Sequence, residues 1–215
     1  LLVKELSLAK HTEEEQVESI KRWWKENGMS VVAGIVIGLG GVFGWQAWTG
    51  YQDSIRQQAS SAFEQLMAAA GQQQTDSAVK QAELMAQEFP NTPYPALGAL
   101  VAAKIQYEQG NEAAAKTALQ GVIEDAPDAA LAQIAVLRLA RILLDEGDPA
   151  AAASLLQQHP ASASFAGDYA ALRGDIALAE GNASAARQAY QEALDKNAAN
   201  AALIQLKLDN LQPTS

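Results

Sequence analysis

Cysteine is absent from the 215 residues, which removes disulfides, thiolate nucleophiles and cysteine metal sites together. Histidine is almost absent: His11 lies near the start and His159 beside Pro160, so a histidine metal centre or a Ser/His pair has little to draw on. Basic residues are outnumbered, 15 against 25 acidic, for a net charge of −10. Nucleic-acid binding rests on Lys and Arg displacing counterions from phosphates, so no nucleic acid is expected as partner. Period-two alternation is missing beyond Tyr51 and alanine dominates, which makes the expected class all-α. Aromatic residues make up only 6% of the chain, yet all four tryptophans fall within residues 23–48.

The familiar catalytic signatures are missing too. Phosphate-binding G-x-x-x-x-G-K-[ST], zinc-binding H-E-x-x-H and G-x-S-x-G do not occur. SLAK at 7–10 and SAVK at 77–80 match S-x-x-K without the S-D-N and K-T-G that accompany it in penicillin-recognising enzymes. Glu124/Asp125 and Asp145/Glu146 end helices beside turns, where solvated charge is the simpler reading than acid/base chemistry. No enzyme activity, cofactor or metal is expected.

What is present begins with Met29–Trp48, twenty residues without a charge. As a helix they span about 30 Å, one bilayer hydrocarbon core. Trp23 and Trp24 precede the run, and Trp45, Trp48 and Tyr51 close it, as expected of rings at two water–lipid interfaces. A soluble core helix would not explain aromatic clusters at both ends, nor Gly34, Gly38, Gly40, Gly41 and Gly44. A secretory signal would need a shorter core and a small-x-small site. An uncleaved anchor fits better, with cleavage near Ala59–Ala62 as the alternative. Lys21, Arg22 and Lys25 lie before the span and only Arg56 follows before Lys80, which places the N-terminus in the cytoplasm. Gly34-x-x-x-Gly38 and Gly40-x-x-x-Gly44 offer flat strips for an intramembrane helix contact, with chance spacing as the alternative.

Residues 1–28 read as a cytoplasmic segment, 29–48 as the transmembrane helix, 49–95 as a membrane-proximal helical region and 96–215 as a repeat domain. The chain opens on LLVKELSLAKH without Met, so the first ten residues carry little weight. TEEEQVESIKRWWKENG predicts a helix capped by Thr12 and closed at Asn27-Gly28. Beyond the span, helices are expected at 51–70, 76–88, 96–109, 112–124, 129–145, 149–158, 164–180, 183–195 and 199–211. The turns Gly110-Asn111, Gly147-Asp148 and Gly181-Asn182 recur at intervals of 37 and 34 residues, the tetratricopeptide (TPR) period. Ala115, Ala152 and Ala186 follow those turns at matching places, and Gly174 lies where paired helices cross. One such pair cannot bury its own apolar face, so pairs stack into an α-solenoid with a concave side free for a partner. Leu203, Leu206, Leu208 and Leu211 are expected to cap it. A generic alanine-rich bundle is the competing reading.

The order of these parts resembles a known family. An acidic stretch, QVESIKRWWKENG, a glycine-rich span, GWQAWTGYQDSIRQQASSAFEQL and finally LRGDIALAEGNASAARQAYQEAL are similar to the YfgM family of ancillary SecYEG translocon subunits, over about Glu13 to Leu211. The resemblance implies a bacterial inner-membrane protein with a periplasmic TPR-like domain. The partners implied are the SecYEG translocon, a PpiD-type membrane-anchored chaperone, and other periplasmic chaperones or client proteins. It implies hand-over of emerging chains to those chaperones. An alternative role is restraint of the cytoplasmic Rcs response regulator by the N-terminal segment.

Overall fold

The computed structural model describes the backbone of residues 2–211 and the side chains of residues 17–211. The described residues form nine α-helices: α1 (Leu2–Gly71), α2 (Thr75–Glu88), α3 (Tyr94–Glu108), α4 (Glu112–Asp125), α5 (Ala129–Asp145), α6 (Pro149–Gln158), α7 (Ala166–Ala179), α8 (Ala183–Asp195) and α9 (Ala201–Asn210), with a 3₁₀ turn at Ala163–Phe165. No strand occurs among them. The chain divides into two compact units, Leu1–Ile55 and Arg56–Ser215.

The first unit corrects two expectations. Thr12 lies inside α1 rather than at its start, and Asn27-Gly28 does not end a helix. Asn27 donates its side-chain amide to the Trp23 carbonyl, 3.1 Å away and four residues back, so it bonds along the helix instead of stopping it. Gly28 lacks the left-handed backbone of a stop, and a Cβ there would rest 3.2 Å from the Trp24 indole. Val17–Gly71 is, among the described residues, a helix long and apolar enough to cross a membrane. Its apolar window is almost wholly exposed, a costly arrangement in water and the natural one in lipid. The side chains of His11 and of SLAK lie outside the described residues.

The second unit is a one-dimensional array. Phe63, Leu66 and Ala69 of α1 pack with Ala78, Ala82 and Met85 of α2 and Ala102 and Ile105 of α3. The next core joins Ala103 and Ala115 to Leu119, Leu139 and Ile142, from α3, α4 and α5. A third joins Leu137, Ala140, Leu156, Tyr169 and Leu172, from α5, α6 and α7. The last joins Ala177, Ala186, Tyr190, Ile204 and Leu211, from α7, α8 and α9. Each core is therefore made by one helix pair and the first helix of the next, the nearest-neighbour logic of a solenoid. About half of the buried apolar residues are alanines. Small side chains let helix axes approach closely, and each contributes little burial energy alone.

α9 corrects the expected cap. Ile204 and Leu211 are buried, but Leu203 and Leu206 are 50% and 57% exposed. Period 3.6 explains this: Ile204, Leu208 and Leu211 share the inward face, which Leu203 and Leu206 do not.

Candidate functional site

Three turns with one chemistry space the array. Gly110, Gly147 and Gly181 have φ of +81°, +84° and +77°. In each, the glycine N–H donates to the carbonyl three residues back (Tyr107, Leu144, Leu178). The next N–H donates to the carbonyl five back (Gln106, Leu143, Ala177), at 2.8–3.0 Å. These bonds satisfy the last carbonyls of the helix, and a left-handed glycine makes them possible. The residue after the glycine starts the following helix: Asp148 accepts from the Ala151 N–H at 2.9 Å and Asn182 from the Ala185 N–H at 3.0 Å. In these two turns one dipeptide thus ends a helix and caps its successor, whereas Asn111 opens α4 without a side-chain cap.

The crossings obey a size rule. Seven residues before each turn glycine stand Ala103, Ala140 and Gly174; nine after it stand Leu119, Leu156 and Tyr190. A Cβ on Gly174 would fall on the Tyr190 ring. The larger partner is accommodated by removing the last methyl opposite it. Ala115, Ala152 and Ala186, each fully buried, line the same crossings. The Tyr190 hydroxyl donates to Asp175 at 2.6 Å, and Lys207 of α9 donates to the same carboxylate oxygen at 2.6 Å. Burial, then the hydrogen bond to Asp175 and its charge, push the Tyr190 hydroxyl well above the ordinary phenol range. The α7–α8 pair is thereby tied to the last helix.

Gly167 was not singled out by its sequence. A Cβ there would lie 2.6 Å from the Ala198 backbone nitrogen, so α7 begins against the α8–α9 turn, which Asn197 makes with φ of +56°. The available signal was spacing: Gly167 and Gly174 are seven residues apart in a chain whose default small residue is alanine, a better helix former.

Grooves repeat with the helices. Between α2 and the end of α3 with its turn at Asn111, between α4 and α6 over α5, and between α6 and α8 over α7 lie open grooves of about 360, 500 and 540 Å³. In the last one Tyr169 is buried, its hydroxyl has no hydrogen-bond partner among the described residues, and burial raises its pKa. Glu192 stands on the rim between Lys196 and Arg173, at 2.6 and 2.9 Å. The hydrogen bond from Lys196, followed by that from Arg173, holds its carboxyl below the usual range against the opposing effect of burial. A further slot, of about 470 Å³, lies where α3 meets α5 and is floored by Ala103, Leu119 and Ile142. Lys104, Arg138 and Arg141 edge it, with Tyr107 donating to Asp145 at 3.0 Å. Arg138 reaches across to donate to the Leu100 carbonyl at 2.9 Å. Although that residue is exposed overall, partial burial of its guanidinium, then the nearby charge of Arg141, lowers its pKa.

In the first unit Trp23, Trp24, Trp45, Trp48 and Tyr51 are all exposed, with the Trp45 and Trp48 rings 5.4 Å apart. Lys21, Arg22 and Lys25 are exposed. A Cβ on Gly34, Gly38, Gly40 or Gly44 would meet open space.

The model of the tetratricopeptide repeat-like domain family matches residues 21–213, which takes in both the span and the array. Proteins described as ancillary SecYEG translocon subunits are similar over the same extent. The one from Haemophilus influenzae is 31% identical over 93% of this chain and 97% of its own. Its Escherichia coli counterpart is 31% identical over 93% and 96%, and that of Aggregatibacter actinomycetemcomitans 35% over 93% and 97%. The chain belongs to the family of ancillary SecYEG translocon subunits. The match takes in the apolar helix and the TPR-like array together, and the grooves and slot are surfaces that the array offers.

Proposed function

We propose that this protein is a non-enzymatic adaptor held at the Sec translocon of the bacterial inner membrane. Its N-terminus stays in the cytoplasm and its array works in the periplasm, where it binds chaperones, a PpiD-type membrane-anchored one among them, and helps pass exported chains to them. The observation that carries this reading is the extent of the likeness: relatives named as translocon subunits match through the span and all the helix pairs together. The exposed aromatics at both ends of the uncharged run, and Lys21, Arg22 and Lys25 on one side of it, support the orientation. In this reading residues 1–28 form the cytoplasmic segment, 29–48 the span, 49–95 the membrane-proximal part and 96–215 the repeat domain. Anchoring raises the local concentration of an array around a fixed partner, as any tether does.

Crosslinking from photoreactive residues placed along 96–211 in intact membranes tests it. Capture of Sec subunits or periplasmic chaperones is the expected result. An array lacking residues 1–50, exported free into the periplasm, should lose function. Full activity of that free array would overturn the adaptor reading.

A further inference from the structure

The slot between α3 and α5 runs against the charge of its surroundings. Beyond residue 50 the chain carries ten basic and nineteen acidic residues, and most cations of known partnership in the array face a carboxylate: Lys116 with Glu146, Arg173 and Lys196 with Glu192, Lys207 with Asp175. Arg138 and Arg141, three residues apart on one face of α5, have no carboxylate partner among the described residues. Lys104, across the slot on α3, has only an exposed contact with Glu108 at 3.6 Å, which holds it weakly. Asp145 is engaged by Tyr107. Arg138 spends one of its five N–H donors on the Leu100 carbonyl.

The position is one the array varies. Six residues before each turn glycine stand Lys104, Arg141 and Asp175. In the last repeat the acid is satisfied within the fold by Tyr190 and Lys207, whereas the two cations of the earlier repeats face one opening with an apolar floor.

We infer that this slot docks an acidic segment of a partner polypeptide, whose carboxylate is held by Arg138 and Arg141 while a neighbouring apolar side chain rests on Ala103, Leu119 and Ile142. A guanidinium pair suits a carboxylate because its parallel N–H donors match two oxygens. A short segment fits where an extended polyanion does not: Glu112 and Glu146 lie close enough to act on Tyr107 beside the slot, and a broad anionic surface such as a bilayer or a nucleic acid would meet them and the net negative charge of the array. The inference concerns the chemistry of the occupant and holds whichever protein supplies it.

The test uses the full chain in neutral-detergent micelles and fluorescent peptides of glycine and serine carrying Asp-Leu-Asp or, as control, Asn-Leu-Asn. The acidic peptide should bind at least about tenfold more tightly than its amide twin, and more weakly as salt rises. Arg138→Gln with Arg141→Gln should remove that preference. Arg141→Asp, which installs the residue type found at the matching place in the last repeat, should do the same without disturbing the fold, read by circular dichroism. Lys80→Gln, a cation outside the slot, should change nothing. Equal binding of the two peptides, no binding of either, or equal loss with Lys80→Gln overturns the proposal. So does arginine-dependent retention on phosphatidylglycerol vesicles with no peptide preference, which would assign the pair to lipid.

Discussion

Gly34, Gly38, Gly40 and Gly44 in α1 and Gly167 and Gly174 in α7 all sit inside α-helices, where alanine would be the better residue. A methyl group added to any of the first four would meet nothing within 4 Å; added to the last two it would strike backbone or an aromatic ring. The same residue therefore answers two needs. In α7 it is required by what the fold already places beside it. In α1 nothing within 4 Å requires it; lipid would tolerate it, and a contact with another helix would use it.

The sharpest break of that contrast is Gly174→Leu. The added side chain must displace the Tyr190 ring, which is fully buried, and overpacking at such a crossing should cost about 3 kcal/mol or more. Thermal melts of the full chain in detergent should show the last helix pair lost. Pairing Gly174→Ala with Tyr190→Leu recreates the Ala/Leu crossing of the two earlier repeats and should recover all but about 2 kcal/mol, the residue being the hydrogen bond lost by Asp175. A double variant no better than Gly174→Leu would refute the size rule.

Tyr190→Phe alone keeps the ring and removes the donor to Asp175, with Lys207 still in place, so a loss of about 1–2 kcal/mol is expected. The pH dependence has a definite sign. The folded state raises the Tyr190 pKa, so this contribution is complete below the unfolded phenol pKa of about 10 and is lost as pH rises beyond it. Melts at about pH 9 and about pH 11 should fall further for the native chain than for Tyr190→Phe. Parallel falls would show that the hydroxyl is not coupled to folding.

Gly147→Ala probes a glycine required by backbone rather than by space: its φ is +84° but no atom crowds it. About 1 kcal/mol of destabilisation is expected from the left-handed conformation. An unchanged melting temperature would mean the turn adopts another geometry at no cost.

The turns were legible because Gly-Asn and Gly-Asp do two jobs that few other dipeptides do, ending one helix and starting the next. The same rule misread Asn27-Gly28. There Asn27 bonds to the Trp23 carbonyl and Trp24 covers Gly28, so context overrode a correct local preference. Gly167 stayed hidden because its neighbour is the turn around Ala198, some thirty residues away in sequence. The outward Leu203 and Leu206 were misjudged because four leucines in one short helix read as a single apolar face, though the helical period divides them. Arg138 and Arg141 were unremarkable as a spacing. Only the packing of α3 beside α5, with Lys104 opposite and the one carboxylate lining the slot, Asp145, bonded to Tyr107 rather than to either arginine, sets them apart.

The smallest effect on folding belongs to Gly34→Leu with Gly38→Leu, and it is the most informative about the first unit. Since neither position touches another part of the chain, the melt of the array should move by less than about 0.5 kcal/mol. Leucine also lengthens neither end of the span, so insertion should persist. If the strip meets a helix of another protein, two leucines force the backbones apart, and membrane complexes seen on native gels should weaken while folding does not. If complexes and melt are both unchanged, the glycines of α1 serve lipid tolerance alone, and the contrast with α7 becomes one between a residue the fold demands and one the bilayer permits.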